Sequence, residues 1–145
     1  MGYADRITTE RDIRPPRYVI HGPAGVGKTT LAASADGALM VPVEDGAGIL
    51  ATPSLPMPKD WDELTAMLRE IITDLGKPKG DREFMDAYST IIIDSIDRVE
   101  PMIWRAVCDE RKKDQIEDFG YGKGYTYADN YWIKLFQGLD MIRRE

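Results

Sequence analysis

The chain has 145 residues, of which 43% are hydrophobic and 30% charged, a composition typical of one ordinary folded domain with enough apolar residues for a core. The formal net charge of −6 argues against a protein that coats duplex DNA with basic surface. No apolar run reaches the ~18 residues that suggest a membrane span, and the charged start lacks the apolar centre of a signal peptide. We therefore expect an intracellular protein, in which the single cysteine, Cys108, is a reduced core residue.

The first third of the chain has the pattern of a parallel α/β fold. Residues 1–16 are polar and end in two prolines, which predicts an arm before a domain formed by residues 17–145. The apolar stretch 17–21 is predicted to be the first strand, and a helix is predicted from residue 27 to about residue 35. ALMVPVEDG then gives a second short strand that ends in two acids. Strand, turn, helix and strand in this order predict parallel pairing.

The rest of the chain alternates loops, helices and one further strand. The proline-rich stretch 51–60 is predicted to be a loop, and Asp60 is predicted to cap a helix that ends at Gly76 and Pro78. YSTIIIDS is typical of a strand buried on both faces. A helix, a loop at 118–127 (DFGYGKGYTY) and a last helix follow. The apolar positions of the three helices recur at helical spacing: Leu64, Leu68, Ile71, Ile72 and Leu75; Val99, Met102, Ile103, Ala106 and Val107; Tyr131, Trp132, Leu135, Phe136, Leu139 and Ile142.

The glycine-rich loop, GPAGVGKT at residues 22–29, matches G-x-x-x-x-G-K-[ST] at every fixed position and lies between a predicted strand and a predicted helix. Glycines permit the positive-φ turns and close approach that a row of phosphate-binding N–H groups needs, and the helix N-terminus adds partial positive charge. Lys28 is predicted to reach the β- and γ-phosphates and Thr29 to bind Mg²⁺. The alternative is a chance glycine turn. His21, just before the loop, is expected to be packed or solvent-facing rather than a ligand. The predicted phosphate-binding residues are Gly22, Pro23, Ala24, Gly25, Val26, Gly27, Lys28, Thr29 and Thr30.

Two acids are predicted at the carboxyl ends of strands, where parallel sheets bind their ligands. Asp94 ends the TIIID run and is the candidate second anchor for the metal. Alternatively, Asp94 and Ser95 only cap the next helix, a role for which Asp97 competes, and both roles are compatible. Glu44 follows the second strand and is the candidate group that orients or deprotonates water. Alternatively residues 44–46 are only an acidic turn.

With these features the sequence resembles the RecA-like P-loop ATPase core, particularly the phage ATP-binding proteins of the AAA type that act in single-strand annealing and recombination. The resemblance spans about residues 17–145. It implies that Glu44 is the catalytic glutamate, that Lys123 contacts single-stranded DNA, and that Tyr121 or Tyr125 stacks on bases. It also implies self-association into an oligomer or filament, and a location in the cytoplasm of a bacterial or phage-infected cell.

The candidate DNA loop can also be interpreted without the resemblance. Aromatic residues interleaved with glycine and one lysine would let bases stack while the backbone passes a positive charge. The alternative is a flexible connector whose tyrosines pack on the core. Basic and acidic residues balance over positions 110–125, so the segment has no net positive charge.

A RecA-like core has a further strand between the strand before the glycine-rich loop and the strand of Asp94, and the chain contains no such strand. Either the 145 residues are a C-terminally truncated core, which the uncapped last helix supports, or the two strands pair directly as in kinase and GTPase-type P-loop folds. We expect the truncated core. Its parallel sheet, flanked by helices, would have three strands with a gap in the middle.

The sequence therefore predicts a Mg²⁺-dependent ATPase coupled to single-stranded DNA, without a base-reading element that separates ATP from GTP. One alternative is a small-molecule or nucleotide kinase, which would need a lid rich in arginine, whereas the segment 76–88 offers only Arg82. The other is a nucleotide-dependent assembly factor or switch that does not bind DNA.

Overall fold

The computed structural model describes residues 2–7, 9, 14–45 and 51–143. Within these residues the structure has two strands and four α-helices, together with 3₁₀ turns at Tyr3–Arg6, Ile96–Arg98 and Ile116–Phe119. In chain order the main elements are α1 (Lys28–Ala33), β1 (Ala38–Pro42), α2 (Trp61–Leu75), β2 (Thr90–Asp94), α3 (Val99–Arg111) and α4 (Lys123–Ile142). This order confirms the predicted α/β class.

The two strands pair in parallel, in a register that runs from Ala38 opposite Thr90 to Pro42 opposite Asp94. The other edge of β1 is covered by the predicted loop, where Met40 forms an isolated bridge with Ser54. Pro42 can occupy the last position of β1 because a proline without an N–H is tolerated at a strand end. The register places the carboxyl ends of both strands side by side, as the sequence predicts.

Alternate residues of the sheet point to two different layers, as the period of a strand requires. Leu39, Val41 and Val43 join the main core cluster with residues of α2, α3 and α4. Ala38 and Met40, on the opposite face, pack with Ile92 and with two alanines of α1. The three long helices therefore cover one face of the sheet, and α1 covers the other.

The start of α2 is fixed by a reciprocal cap. The Asp60 carboxylate accepts a hydrogen bond from the Glu63 N–H at 2.9 Å, and the Lys59 N–H donates to the Glu63 carboxylate at 2.7 Å. The helix ends at Leu75, with Gly76 as its C-cap. Both predicted boundaries of α2 are confirmed.

Cys108 is buried on α3, where burial raises the pKa of its thiol, so its predicted place in the core is confirmed as well.

Residues 17–21, predicted to be the first strand, lie outside the sheet, and Val19 is 84% exposed. A strand needs a neighbour for its backbone N–H and C=O groups, and no strand of the described part lies between these residues and β2. The prediction of a strand here was therefore wrong. So was the alternative in which this segment pairs directly with β2. The described sheet has two strands rather than the expected three.

The segment is instead attached to the end of α4. The Arg17 guanidinium donates to the Asp140 carboxylate at 2.8 Å, and the Arg143 guanidinium donates to the Pro15 carbonyl at 2.8 Å. These contacts hold residues 15–17 against the C-terminal end of α4, away from the sheet position expected for a strand.

The last helix begins earlier than predicted. The expected loop ran to residue 127, but α4 begins at Lys123, after a turn in which Gly120 and Gly122 have positive φ. Gly124 lies so close to the Ile116 carbonyl that a Cβ there would collide with it. Close packing of the first turn of α4 against Ile116 thus makes residues 123–127 helical.

Of the helices in the described ranges, none is both long and apolar enough to cross a bilayer.

Candidate functional site

The glycine-rich loop has the backbone that its motif requires. Gly25 and Gly27 adopt left-handed φ values of 78° and 94°, and α1 begins immediately after them. Residues with a Cβ rarely adopt such backbone conformations, so glycine is favoured at both positions. Left-handed residues of this kind shape successive N–H groups into an anion-binding concavity. No side chain caps α1, whose first N–H groups therefore remain available at this end.

Lys28 folds back over the same loop. Its ammonium donates to the Gly22 carbonyl at 2.9 Å and to the Pro23 carbonyl at 3.0 Å. Both bonds come from a cation on the first turn of α1 to the start of the loop, so they hold the positive charge at the mouth of the concavity. Phosphate oxygens are stronger partners for an ammonium than neutral carbonyls are, so an incoming phosphate can replace these bonds.

The end of β2 lies close to Lys28. A hydrogen bond from Ser95 holds the pKa of Asp97 below its usual range; burial opposes this, and the nearby charges of Arg98 and Lys28 lower the pKa further. Lys28 is therefore near enough to Asp97 for its charge to act there, and α1, which Lys28 begins, contacts β2. Asp94, the candidate metal anchor, is half-buried at the last position of β2.

Glu44 lies at the same edge of the sheet. The Val43 N–H donates to the Asp94 carbonyl at 2.7 Å, which joins the ends of the two strands. One Glu44 carboxylate oxygen accepts from the Ser95 hydroxyl at 2.8 Å, and the other accepts from the Arg98 guanidinium at 3.1 Å. The ends of the two strands therefore place Glu44 at the same sheet edge as Asp94, as predicted. The choice between a catalytic glutamate and a residue of an acidic turn stays a prediction. Gly46, the last residue of that turn, lies outside the described residues.

The capping alternative for the residues after β2 is not supported. Ser95 and Arg98 occupy the N-cap positions of the 3₁₀ turn and of α3, and neither makes a side-chain capping bond. Their side chains are directed to Glu44. Sequence reasoning missed both as site residues, because a contact between residues more than 50 positions apart leaves no periodic signal in the chain.

The donor set fits Mg²⁺. Thr29 lies half-buried in the first turn of α1, and Asp94 is half-buried at the end of β2, so the predicted ligands are one hydroxyl and one carboxylate. Mg²⁺ prefers such hard oxygen ligands and is usually bound through one or two carboxylates together with substrate phosphates and waters. Among the described residues no group of three or more His, Cys, Asp and Glu could hold a metal without such additional ligands.

The candidate DNA residues differ in their surroundings. Tyr121 has a left-handed φ of 49° and is fully exposed, and Lys123 is exposed at the start of α4. Tyr125 is less free: its ring packs edge-on against Trp104, and its hydroxyl donates to Glu117 at 2.8 Å, a bond that raises the pKa of Tyr125. The structure therefore favours Tyr121 over Tyr125 as the residue that remains available for stacking.

A separate cleft lies away from these residues. A cavity of about 1040 Å³ opens between α2, α3 and α4, and none of the predicted site residues lines it. Its walls carry mixed charges around apolar side chains. The glycine-rich loop supplies backbone donors and the Lys28 ammonium, and the nearby strand ends supply the Glu44 and Asp94 carboxylates, a combination that this cleft lacks. We therefore assign the candidate site to the glycine-rich loop and the adjoining sheet edge.

Among family models, that of an AAA domain matches residues 14–144. The chain belongs to the AAA domain family. An AAA domain is a P-loop NTPase that binds nucleotide, typically together with Mg²⁺, and the glycine-rich loop is the part of this AAA domain that has the required geometry. Searches against curated proteins and against solved structures gave no match.

Proposed function

We propose that this AAA domain is a Mg²⁺-dependent ATPase that binds the triphosphate of ATP along residues 22–30. The observation that carries the proposal is the pairing of two left-handed glycines with the Lys28 ammonium across the same loop. Lys28 would exchange its carbonyl partners for β- and γ-phosphate oxygens. Thr29 and Asp94 would hold Mg²⁺, which would offset the negative charge of the phosphates.

In this proposal Glu44 orients the attacking water. The water oxygen bonds to the γ-phosphorus while the bond from that phosphorus to the β–γ bridging oxygen breaks, so ADP leaves with the bonding electron pair and both protons of the water leave with the inorganic phosphate. A carboxylate can accept several hydrogen bonds, so Glu44 can accept one from water while it keeps Ser95 and Arg98 as donors. The supporting observation is that the end of β1 is joined to the end of β2, where Asp94 lies.

We further propose that hydrolysis is coupled to single-stranded DNA in phage-type recombination or annealing. The support is the fully exposed Tyr121 on a glycine-flanked turn beside Lys123, a combination suited to base stacking and backbone contact. We also propose self-association, with Val26 in the glycine-rich loop and Leu31 on α1, each 62% exposed, as apolar side chains that a second copy could cover.

A kinase is a weaker candidate. The arginine that a lid in segment 76–88 could use, Arg82, donates to the Lys77 and Leu75 carbonyls and so stabilises the end of α2. A nucleotide-dependent switch without DNA binding remains the second candidate, favoured by the net charge of −6.

Titration of a fluorescent ATP analogue tests nucleotide binding. Lys28→Ala is expected to raise the Kd by about 10-fold or more, because a hydrogen-bonded charge partner of the phosphates is lost. Lys79→Ala, an exposed lysine on the turn after α2, is the matched control and should leave the Kd unchanged. Equal affinity of wild type and Lys28→Ala would contradict the proposed site.

Turnover with and without single-stranded DNA separates the remaining candidates. Stimulation of phosphate release by the DNA supports the recombination ATPase, and its loss in Tyr121→Ala would assign the contact. Slow turnover that DNA does not change supports the switch. Transfer of phosphate to an added acceptor supports the kinase.

A further inference from the structure

The Glu44 carboxylate is held at both of its oxygens. Ser95 donates to one oxygen at 2.8 Å and Arg98 donates to the other at 3.1 Å. Both donors belong to the segment between β2 and α3, whereas Glu44 follows β1, so the bonds join residues 51 and 54 positions apart in the chain. A carboxylate held at two points by a separate element has far less freedom to rotate than one on an exposed turn.

The backbone beneath this contact is fixed as well. Pro42 and Asp94 are register partners, and the Val43 N–H donates to the Asp94 carbonyl at 2.7 Å. Arg98 occupies the N-cap of α3, and the next residue, Val99, is fully buried. The sheet edge therefore sets the position of Glu44, and the packed start of α3 sets the position of Arg98.

The Arg98 pair differs from an ordinary surface ion pair of the same molecule. Arg105 and Asp109 pair at 2.8 Å within α3, one turn apart, with side chains 68% and 56% exposed. Such a pair within one helix adds little beyond local helix stability. The Arg98 and Glu44 side chains are 60% and 38% exposed, so the pair is also at the surface, but it connects two elements of the fold. A bond between elements determines where a carboxylate points, which a bond within a helix does not.

Ser95 has a second acidic neighbour. It also holds the pKa of Asp97 below its usual range, so one hydroxyl lies beside two carboxylates. Its single proton can be donated to only one carboxylate at a time. Arg98, which has several donors, supplies the bond to Glu44 that does not depend on this competition.

We infer that Ser95 and Arg98 are positioning residues that hold the Glu44 carboxylate in the orientation needed for hydrolysis. This inference rests on the proposed function, because it requires Glu44 to orient water. Holding the carboxylate by one bond on each oxygen leaves a lone pair free for water, and small misplacements of such a group lower the rate strongly. Arg98 acts through Glu44 and has no direct part in binding the nucleotide.

Kinetics of single and double variants test the inference. Arg98→Ala is expected to lower kcat by about 10-fold with little change in KM, since orientation is lost and phosphate binding is kept. Arg98→Lys, which retains one charged donor, should recover part of the loss, and Ser95→Ala should show a smaller loss. Arg105→Ala, which removes the comparison pair on α3, is the matched control and should keep wild-type kcat.

A double-variant cycle separates positioning from an independent role. If Arg98 acts through Glu44, then adding Arg98→Ala to Glu44→Ala should cause no further loss of kcat. An equal loss in both backgrounds, a wild-type kcat in Arg98→Ala, or an increased kcat would each overturn the inference while leaving ATP hydrolysis intact. A wild-type protein that binds ATP without turnover would overturn both the inference and the proposed hydrolysis.

A measurement without nucleotide supplies an independent readout. In ¹⁵N-labelled protein the Arg98 Nε–H should give a resolved signal that exchanges slowly with water, because it is bonded to Glu44. That signal should be lost in Glu44→Ala and kept in Asp109→Ala, which breaks the comparison pair instead. Persistence of the signal without Glu44 would overturn the inference.

Discussion

Helices α2, α3 and α4 bury apolar side chains against one face of the sheet, whereas α1, on the other face, has no buried residue. On the side formed by α2, α3 and α4, which we call the large helical side, Ile71, Ile103 and Leu64 are fully buried. Leu31 on α1, on the smaller side, is 62% exposed. The folding free energy therefore comes mainly from the large helical side. The smaller side supplies backbone shape and charge, which suits a loop that must exchange its Lys28 contacts for a ligand.

The largest expected effect is on stability. Ile103→Ala should lower the free energy of unfolding by about 2–5 kcal/mol, because it leaves a cavity in the main core. Urea unfolding followed by circular dichroism measures this change. A loss below about 1 kcal/mol would show that the helical side is packed more loosely than the contrast requires.

The second effect is on chemistry rather than folding. Glu44→Gln should slow ATP hydrolysis by roughly 10²-fold while ATP remains bound, because the amide is a poorer acceptor for the attacking water. Single-turnover phosphate release together with nucleotide titration distinguishes the two steps. Unchanged turnover would reduce Glu44 to a residue of the turn after β1.

The third effect depends on pH. Asp74 is buried at the end of α2; burial raises its pKa, but hydrogen bonds from the Met85, Glu83 and Phe84 N–H groups, together with Lys77, lower the pKa more, to a net value below its usual range. A lowered folded pKa means that this stabilisation is fully present above the unfolded pKa of about 4 and is lost as pH falls toward the folded value.

Asp74→Asn should therefore lower the Tm by about 5 °C or more at pH 7, and the difference from wild type should shrink on acidification. Thermal unfolding between pH 7 and pH 2 measures both. Asp129→Asn, on an exposed position of α4, is the control and should follow the wild-type curve. A difference that stays constant with pH would show that the Asp74 charge is not what organises the 83–85 segment.

The smallest expected effect is on the free energy of unfolding, from a substitution on the exposed helix α1. Leu31→Ala should change the free energy of unfolding by less than about 0.5 kcal/mol, because the side chain is already largely in water. The same urea titration as for Ile103→Ala measures it. A loss close to that of Ile103→Ala would erase the contrast between the two faces.

Much of the helical side could be predicted from sequence. The spacing of apolar residues, the Asp60 cap and the Gly76 stop each act within a few residues, and all three describe α2 as the structure has it. The apolar run before Asp94 likewise predicts β2. These local patterns predict the structure correctly because the tertiary packing stabilises the same helices and strand that the local sequence favours.

The sequence was less informative where structure depends on distant partners. Residues 17–21 have strand composition, but a strand forms only beside another, and Arg17 is attached to α4 instead. The start of α4 depends on packing against Ile116, which loop composition hides. At the site, the glycine-rich motif fixed Lys28 locally, whereas the Arg98 contact to Glu44 arises only from tertiary folding. The role of each site residue stays a prediction.

Hydrogen–deuterium exchange with and without Mg²⁺ and ATP tests the central claim most directly, because it reports on the backbone amides themselves. Binding of the triphosphate should slow exchange of the amides in residues 22–30, and Lys28→Ala should abolish that protection. Protection confined to the cleft between α2, α3 and α4, or bound ATP with unchanged exchange in residues 22–30, would contradict the claim.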